Sequence, residues 1–114
     1  MLGLSSSYRY LLFNGTVNMQ KGIFGLSAVV RDEMQENPTN PDNVYIFMSR
    51  NRRIIKILHY ERGCFVLYEK RPVCGKFRKP IYNAQTKTFM IEWRDIVALT
   101  EDLVVSEIRV GKEK

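Results

Sequence analysis

The sequence is poor in the residues that mark secreted, membrane-bound and unstructured chains. It has two cysteines in 114 residues, Cys64 and Cys74, too few for the disulfide framework of a small secreted domain. No run approaches the roughly 20 apolar residues of a membrane span. The start, Met1 to Tyr10, lacks a basic segment followed by an apolar one, so no secretory leader is expected. Four prolines and seven glycines, without a low-complexity tract or a long internal repeat, argue against disorder and solenoid folds. A cytoplasmic protein with reduced thiols and no membrane partner is the expectation.

What the chain does have suits one compact core. Hydrophobic residues make up 45%, and six Phe, six Tyr and one Trp supply bulky packing material. A length of 114 residues fits a single domain over 1–114, with 110–114 read as a flexible charged tail.

The net charge of +6 is unevenly spread. Between Arg50 and Lys79 stand ten basic residues, Arg50, Arg52, Arg53, Lys56, Arg62, Lys70, Arg71, Lys76, Arg78 and Lys79, against two acids, Glu61 and Glu69. That window carries +8, and the remainder, with eight basic and ten acidic residues, carries −2. Concentration in one stretch points to a polyanionic partner rather than to general solubility.

Tyr8–Asn14 is β-rich and stops at the turn signal Asn14-Gly15. Asn18 is placed to cap a helix running from about Met19 to Gln35, in which Met19, Ile23, Leu26, Val30 and Met34 form one stripe. Gly22 and Gly25 weaken that helix by about 1 kcal/mol each against Ala, and close approach to a sheet or a partner is their expected purpose. Pro38 and Pro41 end the helical pattern in a loop. Val44–Ser49, Ile54–Tyr60 and Cys64–Lys70 then read as three strands of an antiparallel meander, with Lys87–Ile91 as a further short strand. Arg71–Lys79 reads as an irregular basic segment, and Trp93, Ile96, Val97 and Leu103 fit a final short helix. The class expected is α+β, an antiparallel meander with the N-terminal helix and the short C-terminal helix packed on one face.

Three segments read together resemble a known family. They are Thr16–Arg31, with Met19-x-Lys21-Gly22 opening the helix and Gly25-Leu26-Ser27 inside it; Val44–Arg53, ending in a basic hairpin tip; and Ile54–Arg71, with Lys56-x-Leu58 followed by Phe65-x-Leu67-Tyr68-x-Lys70-Arg71. The chain is similar to the small TnpB-type accessory protein, Orf2, of bacterial insertion sequences of the IS66 family. The likeness spans most of residues 4–103 and includes Trp93-Arg94-Asp95. The departures are Gln20 where Arg is usual, Asn18 where Asp is usual, and His59-Tyr60 where an aliphatic residue precedes Trp. The resemblance implies a protein needed beside a separate, larger transposase, with no established catalytic residue.

Each candidate chemistry has a plain structural counterpart. The tip Arg50-Asn51-Arg52-Arg53 suits phosphate, which arginine binds bidentately, and this reading is favoured over its plain counterpart, a solvated turn. Tyr45, Phe47, Tyr60, Phe65 and Tyr68 interleave with the cations as base-stacking platforms do, yet aromatics in strands are more often core. His59, Cys64 and Cys74 lack the ligand number and spacing of a zinc site, and no nucleophile–base pair stands out. Asp32, Glu33, Asp42, Asp95, Glu101 and Asp102 could hold Mg²⁺ for phosphoryl transfer only on a larger scaffold, and Asp32, Glu33 and Asp95 read as solvent-side helix residues. The expectation is therefore no enzyme, no cofactor, no metal and no small-molecule substrate. In its place stands a DNA-transposition accessory protein binding nucleic acid through the Arg50–Lys79 surface, a transposase, or both. The alternatives are an adaptor touching only the transposase and a small ribonuclease of toxin type.

Overall fold

The computed structural model describes residues 4–79, 88–91, 93–101 and 103–104. The elements, in chain order, are β1 (Arg9–Phe13), α1 (Ile23–Asp32), β2 (Asn43–Met48), β3 (Ile55–Glu61), β4 (Cys64–Lys70), β5 (Lys76–Phe77), β6 (Thr88–Ile91), α2 (Trp93–Glu101) and β7 (Leu103–Val104). Five strands make one sheet in the order β4-β3-β2-β1-β6, and β5 pairs with β7 in a separate ribbon. The proposed tail at 110–114 lies outside the described residues.

The meander β2-β3-β4 is antiparallel, as the short connections require. Its second turn, Arg62-Gly63, has φ of 52° and 79°. Positive φ at both central residues is the type I′ geometry that matches strand twist, and glycine at the second position adopts it freely. Among the described residues the one parallel pair is β1 with β2, from Arg9 opposite Asn43 to Leu12 opposite Ile46. Parallel neighbours need a crossover, and α1 supplies it.

The class is α+β as expected, but the two helices do not share a face. Side chains alternate across each strand, so Leu11, Phe13, Tyr45, Phe47 and Leu58 meet Leu26, Val29 and Val30 of α1. Tyr10, Leu12, Val44, Ile46, Ile55 and Ile57 point the other way, onto Ile96 of α2 and Phe77 of β5. Both faces are thus covered, and every residue of β2 is buried. That explains why Val44–Met48 is a continuous apolar run and not an alternating one.

The first helix starts later than its sequence pattern predicts. Asn18 does not cap it: its Oδ1 accepts the Gln20 amide at 2.8 Å and its carbonyl the Lys21 amide at 3.0 Å, a local turn. Gly22 stands at the N-cap in extended backbone, with no side chain to bond the first turn. Neither glycine approaches the sheet. A methyl at Gly22 would meet nothing within 4 Å, and one at Gly25 would meet only the Lys21 side chain at 3.1 Å. The close approach expected of them is made instead by Leu26 and Val30, both fully buried. The helix ends through Met34 and Glu36 amides bonded to the Val29 and Val30 carbonyls, around Gln35 at φ 58°.

Candidate nucleic-acid interface

The connection from β2 to β3 is a built loop, not a floppy tip. Ser49 Oγ donates to Asn51 Oδ1 at 2.8 Å and accepts the amides of Arg53 at 3.1 Å and Ile54 at 3.0 Å. The Ser49 amide bonds the Ile54 carbonyl at 2.9 Å, and the Arg52 amide the Ser49 carbonyl at 3.0 Å. Arg52 sits at φ 60°, which turns its carbonyl outward to accept the Phe77 amide at 2.8 Å. Phe77 is fully buried against the face that carries Ile96. Its burial anchors β5 beside the loop and carries Lys76, Arg78 and Lys79 with it. The basic segment expected to be irregular is therefore held by one aromatic side chain.

The ten cations of the basic window do not form one surface. Arg50, Arg52, Arg53, Lys76, Arg78 and Lys79 gather about the loop and β5. Lys70 and Arg71 reach the same end of the sheet, since Lys70 lies opposite Ile55, the first residue of β3. Arg71 is partly neutralised, its Nε 2.5 Å from Glu69 Oε2. That contact holds the Glu69 carboxyl below the usual carboxylate range. Arg62 stands in the turn at the opposite end of β3, and seven residues of strand put about 20 Å between it and the loop.

Lys56 is not on the surface at all. It is 5% exposed. Its ammonium donates to the Met19 carbonyl at 2.6 Å and the Lys21 carbonyl at 3.0 Å, with Glu69 Oε1 at 3.6 Å. The Lys-x-Leu motif and the Met-x-Lys-Gly motif are two halves of one contact, which ties the start of α1 to the sheet. Lys56 is thereby withdrawn from the nucleic-acid-binding set.

The remaining candidates resolve simply. Tyr45 and Phe47 are fully buried core, while Tyr60 and Phe65 meet edge to face with centroids 5.1 Å apart. His59 is 1% exposed, with Nε2 3.1 Å from the Pro41 carbonyl. A carbonyl only accepts, so Nε2 is the donor in that bond. Nδ1 faces Glu61 Oε1 at 3.5 Å, and the ring stands edge-on to Tyr8. Cys64 is exposed and Cys74 half-buried, both as free thiols. Asp32, Glu33 and Asp95 face solvent. Among the described residues no three His, Cys, Asp or Glu converge as metal ligands, and no helix is long and apolar enough to cross a membrane.

The fold and this surface define a small basic α+β protein with a rigid cationic loop at one end of its sheet. The family described as IS66 Orf2-like protein matches residues 8–109, and the chain belongs to it. That places it among the accessory proteins of DNA transposition, as the motif likeness implied. No curated protein and no solved structure matches the chain.

Proposed function

We propose that this protein assists a separate transposase by binding DNA through the cationic loop and its β5 flank, without chemistry of its own. One observation carries the reading: the side chains of Arg50, Arg52, Arg53, Lys76, Arg78 and Lys79 form no ion pair among the described residues. Six like charges held at one end of a fold repel one another, and a polyanion relieves that repulsion. Lys70 and Arg71 extend the surface, and Arg62 contributes at most a remote contact.

An adaptor role toward the transposase alone is the second reading, favoured by Phe24, which is 81% exposed on α1. Titration of a fluorescently labelled duplex at low salt separates the two. Saturable binding supports the DNA reading. Absence of binding, with the transposase captured in a pull-down that Phe24→Ala abolishes, transfers the role to α1.

A further inference from the structure

At the carboxyl ends of β1 and β2 the surface dips into an open crevice of about 290 Å³. Its floor is the pair of strand ends, where the largely buried Leu12 and Met48 turn to one face and Phe13 to the other, and Thr16, Arg50, Arg52 and Lys79 complete the lining. Among the described residues no carboxylate lines it. In sheets with parallel strands, the space beyond the strands' carboxyl ends is where ligands are held, because the connecting segments part there to opposite faces. Here β1 leads to α1 on one face while β2 turns back through the Ser49–Ile54 loop into β3, and the crevice lies where these two connections part.

The rim is preorganised. Ser49 and Asn51 fix the loop backbone through their side chains, and the Phe77 amide holds the Arg52 carbonyl. Gly15 fixes the floor, for a methyl there would lie 2.9 Å from the Phe13 ring, which is itself buried. Three cations with no ion pair among the described residues, set over one depression, call for a compact anion with more than one acceptor oxygen, and arginine fits phosphate in that way. The apolar floor adds a second requirement, a flat or aliphatic body attached to the anion. The volume sits at the lower limit of small-molecule sites, which span roughly 300–1,000 Å³.

We propose that the crevice receives a single unpaired nucleotide of a DNA strand, its phosphate on Arg50, Arg52 and Lys79 and its sugar and base over Phe13 and Met48. The proposal rests on the DNA-binding reading of the loop and sharpens it: single-stranded or frayed DNA is preferred to closed duplex, since a stacked and paired base cannot enter.

The test uses the full chain, ¹⁵N-labelled, titrated separately with 2′-deoxyadenosine 5′-monophosphate, deoxyadenosine and inorganic phosphate. The monophosphate is expected to shift the amides of Phe13, Thr16, Ser49 and Arg52 saturably, roughly tenfold more tightly than phosphate. The nucleoside is expected to leave them in place. Arg50→Ala with Lys79→Ala, which spares the bonded loop frame, should weaken the monophosphate at least about tenfold with an otherwise unchanged spectrum. A silent titration at millimolar monophosphate, or shifts confined to other residues, overturns the proposal. So does phosphate binding as tightly as the monophosphate, which would leave the floor without a part. Parallel titrations with labelled single-stranded and duplex oligonucleotides keep the two readings apart. Duplex bound as well as single strand, with the monophosphate silent, removes the crevice and keeps the surface. The monophosphate in the crevice with no oligonucleotide bound removes the DNA-binding reading and keeps the site.

Discussion

Replacing Lys56 with methionine separates a structural lysine from a DNA-binding one. The substitution keeps most of the aliphatic stem, so packing against the sheet is retained and only the ammonium is lost. Two hydrogen bonds go with it, at 2.6 and 3.0 Å to the Met19 and Lys21 carbonyls. A bond to a charged group contributes about 1.5–3 kcal/mol net. Relief of the lysine's own burial offsets part of that. Gln20 and Lys21 are exposed, so water can reach the freed carbonyls and limit the loss further. Glu69 is not stranded, because Arg71 still holds it. The balance is a destabilisation of about 2 kcal/mol, or about 10 °C in Tm for a domain of this size. Urea titration should show a lower midpoint with an unchanged m-value, and DNA affinity should keep its salt dependence. Unaltered stability together with a salt slope flatter by about 0.9 would falsify the internal placement of Lys56.

Three further outcomes are expected. Gly25→Ala gains up to about 1 kcal/mol of helix propensity where the Lys21 stem, whose Cβ and Cγ lie 3.1 Å from the new methyl, gives way, so the thermal midpoint should rise; a lower midpoint would mean that the Lys56 bond to the Lys21 carbonyl holds that stem in place. Gln35→Gly should also stabilise, by about 1 kcal/mol, since Gln35 holds φ 58° where glycine is unstrained; chemical denaturation measures it, and no gain would show that the Gln35 side chain compensates. Burial pushes the Tyr10 hydroxyl up to about 12 from an ordinary value of 10.0. The folded state thus holds that proton more tightly than the unfolded chain, so the associated stability is complete below pH 10 and drains away as pH rises toward 12. Unfolding midpoints across that range should fall more steeply for the wild type than for Tyr10→Phe, and parallel curves would exclude Tyr10 as a source.

Local pattern carried the strands well and the contacts between them poorly. Cys64–Lys70 is bounded as the sequence predicts, while the connection read as Glu61-Arg62-Gly63 tightens to the two-residue turn Arg62-Gly63, with Glu61 closing β3. The parallel pairing of β1 and β2 leaves no local trace, since strands joined through a helix are matched only in space. The uninterrupted apolar run of β2 was the available sign that both faces are covered, and hence that the helices lie on opposite sides. Asn18 misled because asparagine serves a turn as well as a cap, and the four residues Met19–Gly22 of apparent helix pattern fell before the true start. Within the basic window the charge count was sound, but its geometry was not. A lysine flanked by Ile55 and Ile57 points into one face of a sheet, and Arg62 belongs to the far turn. Phe77 was hidden by composition: one aromatic among cations gives no periodicity, yet it orders the whole flank of the loop.

The salt dependence of DNA affinity tests the cationic loop most directly. Each phosphate neutralised on duplex contributes about −0.9 to the slope of log K against log salt, and about −0.7 on single strands. Arg50→Ala, Arg52→Ala and Arg53→Ala together should flatten the slope by roughly two to three units on either form. The fold should survive, since none of these side chains supports the core. Arg31→Ala with Arg62→Ala, which removes charge from the exposed α1 surface and from the far turn, should change the slope much less. Equal flattening per charge removed in the two variants, or a slope that the loop triple leaves untouched, would contradict a DNA-binding site at the end of the sheet.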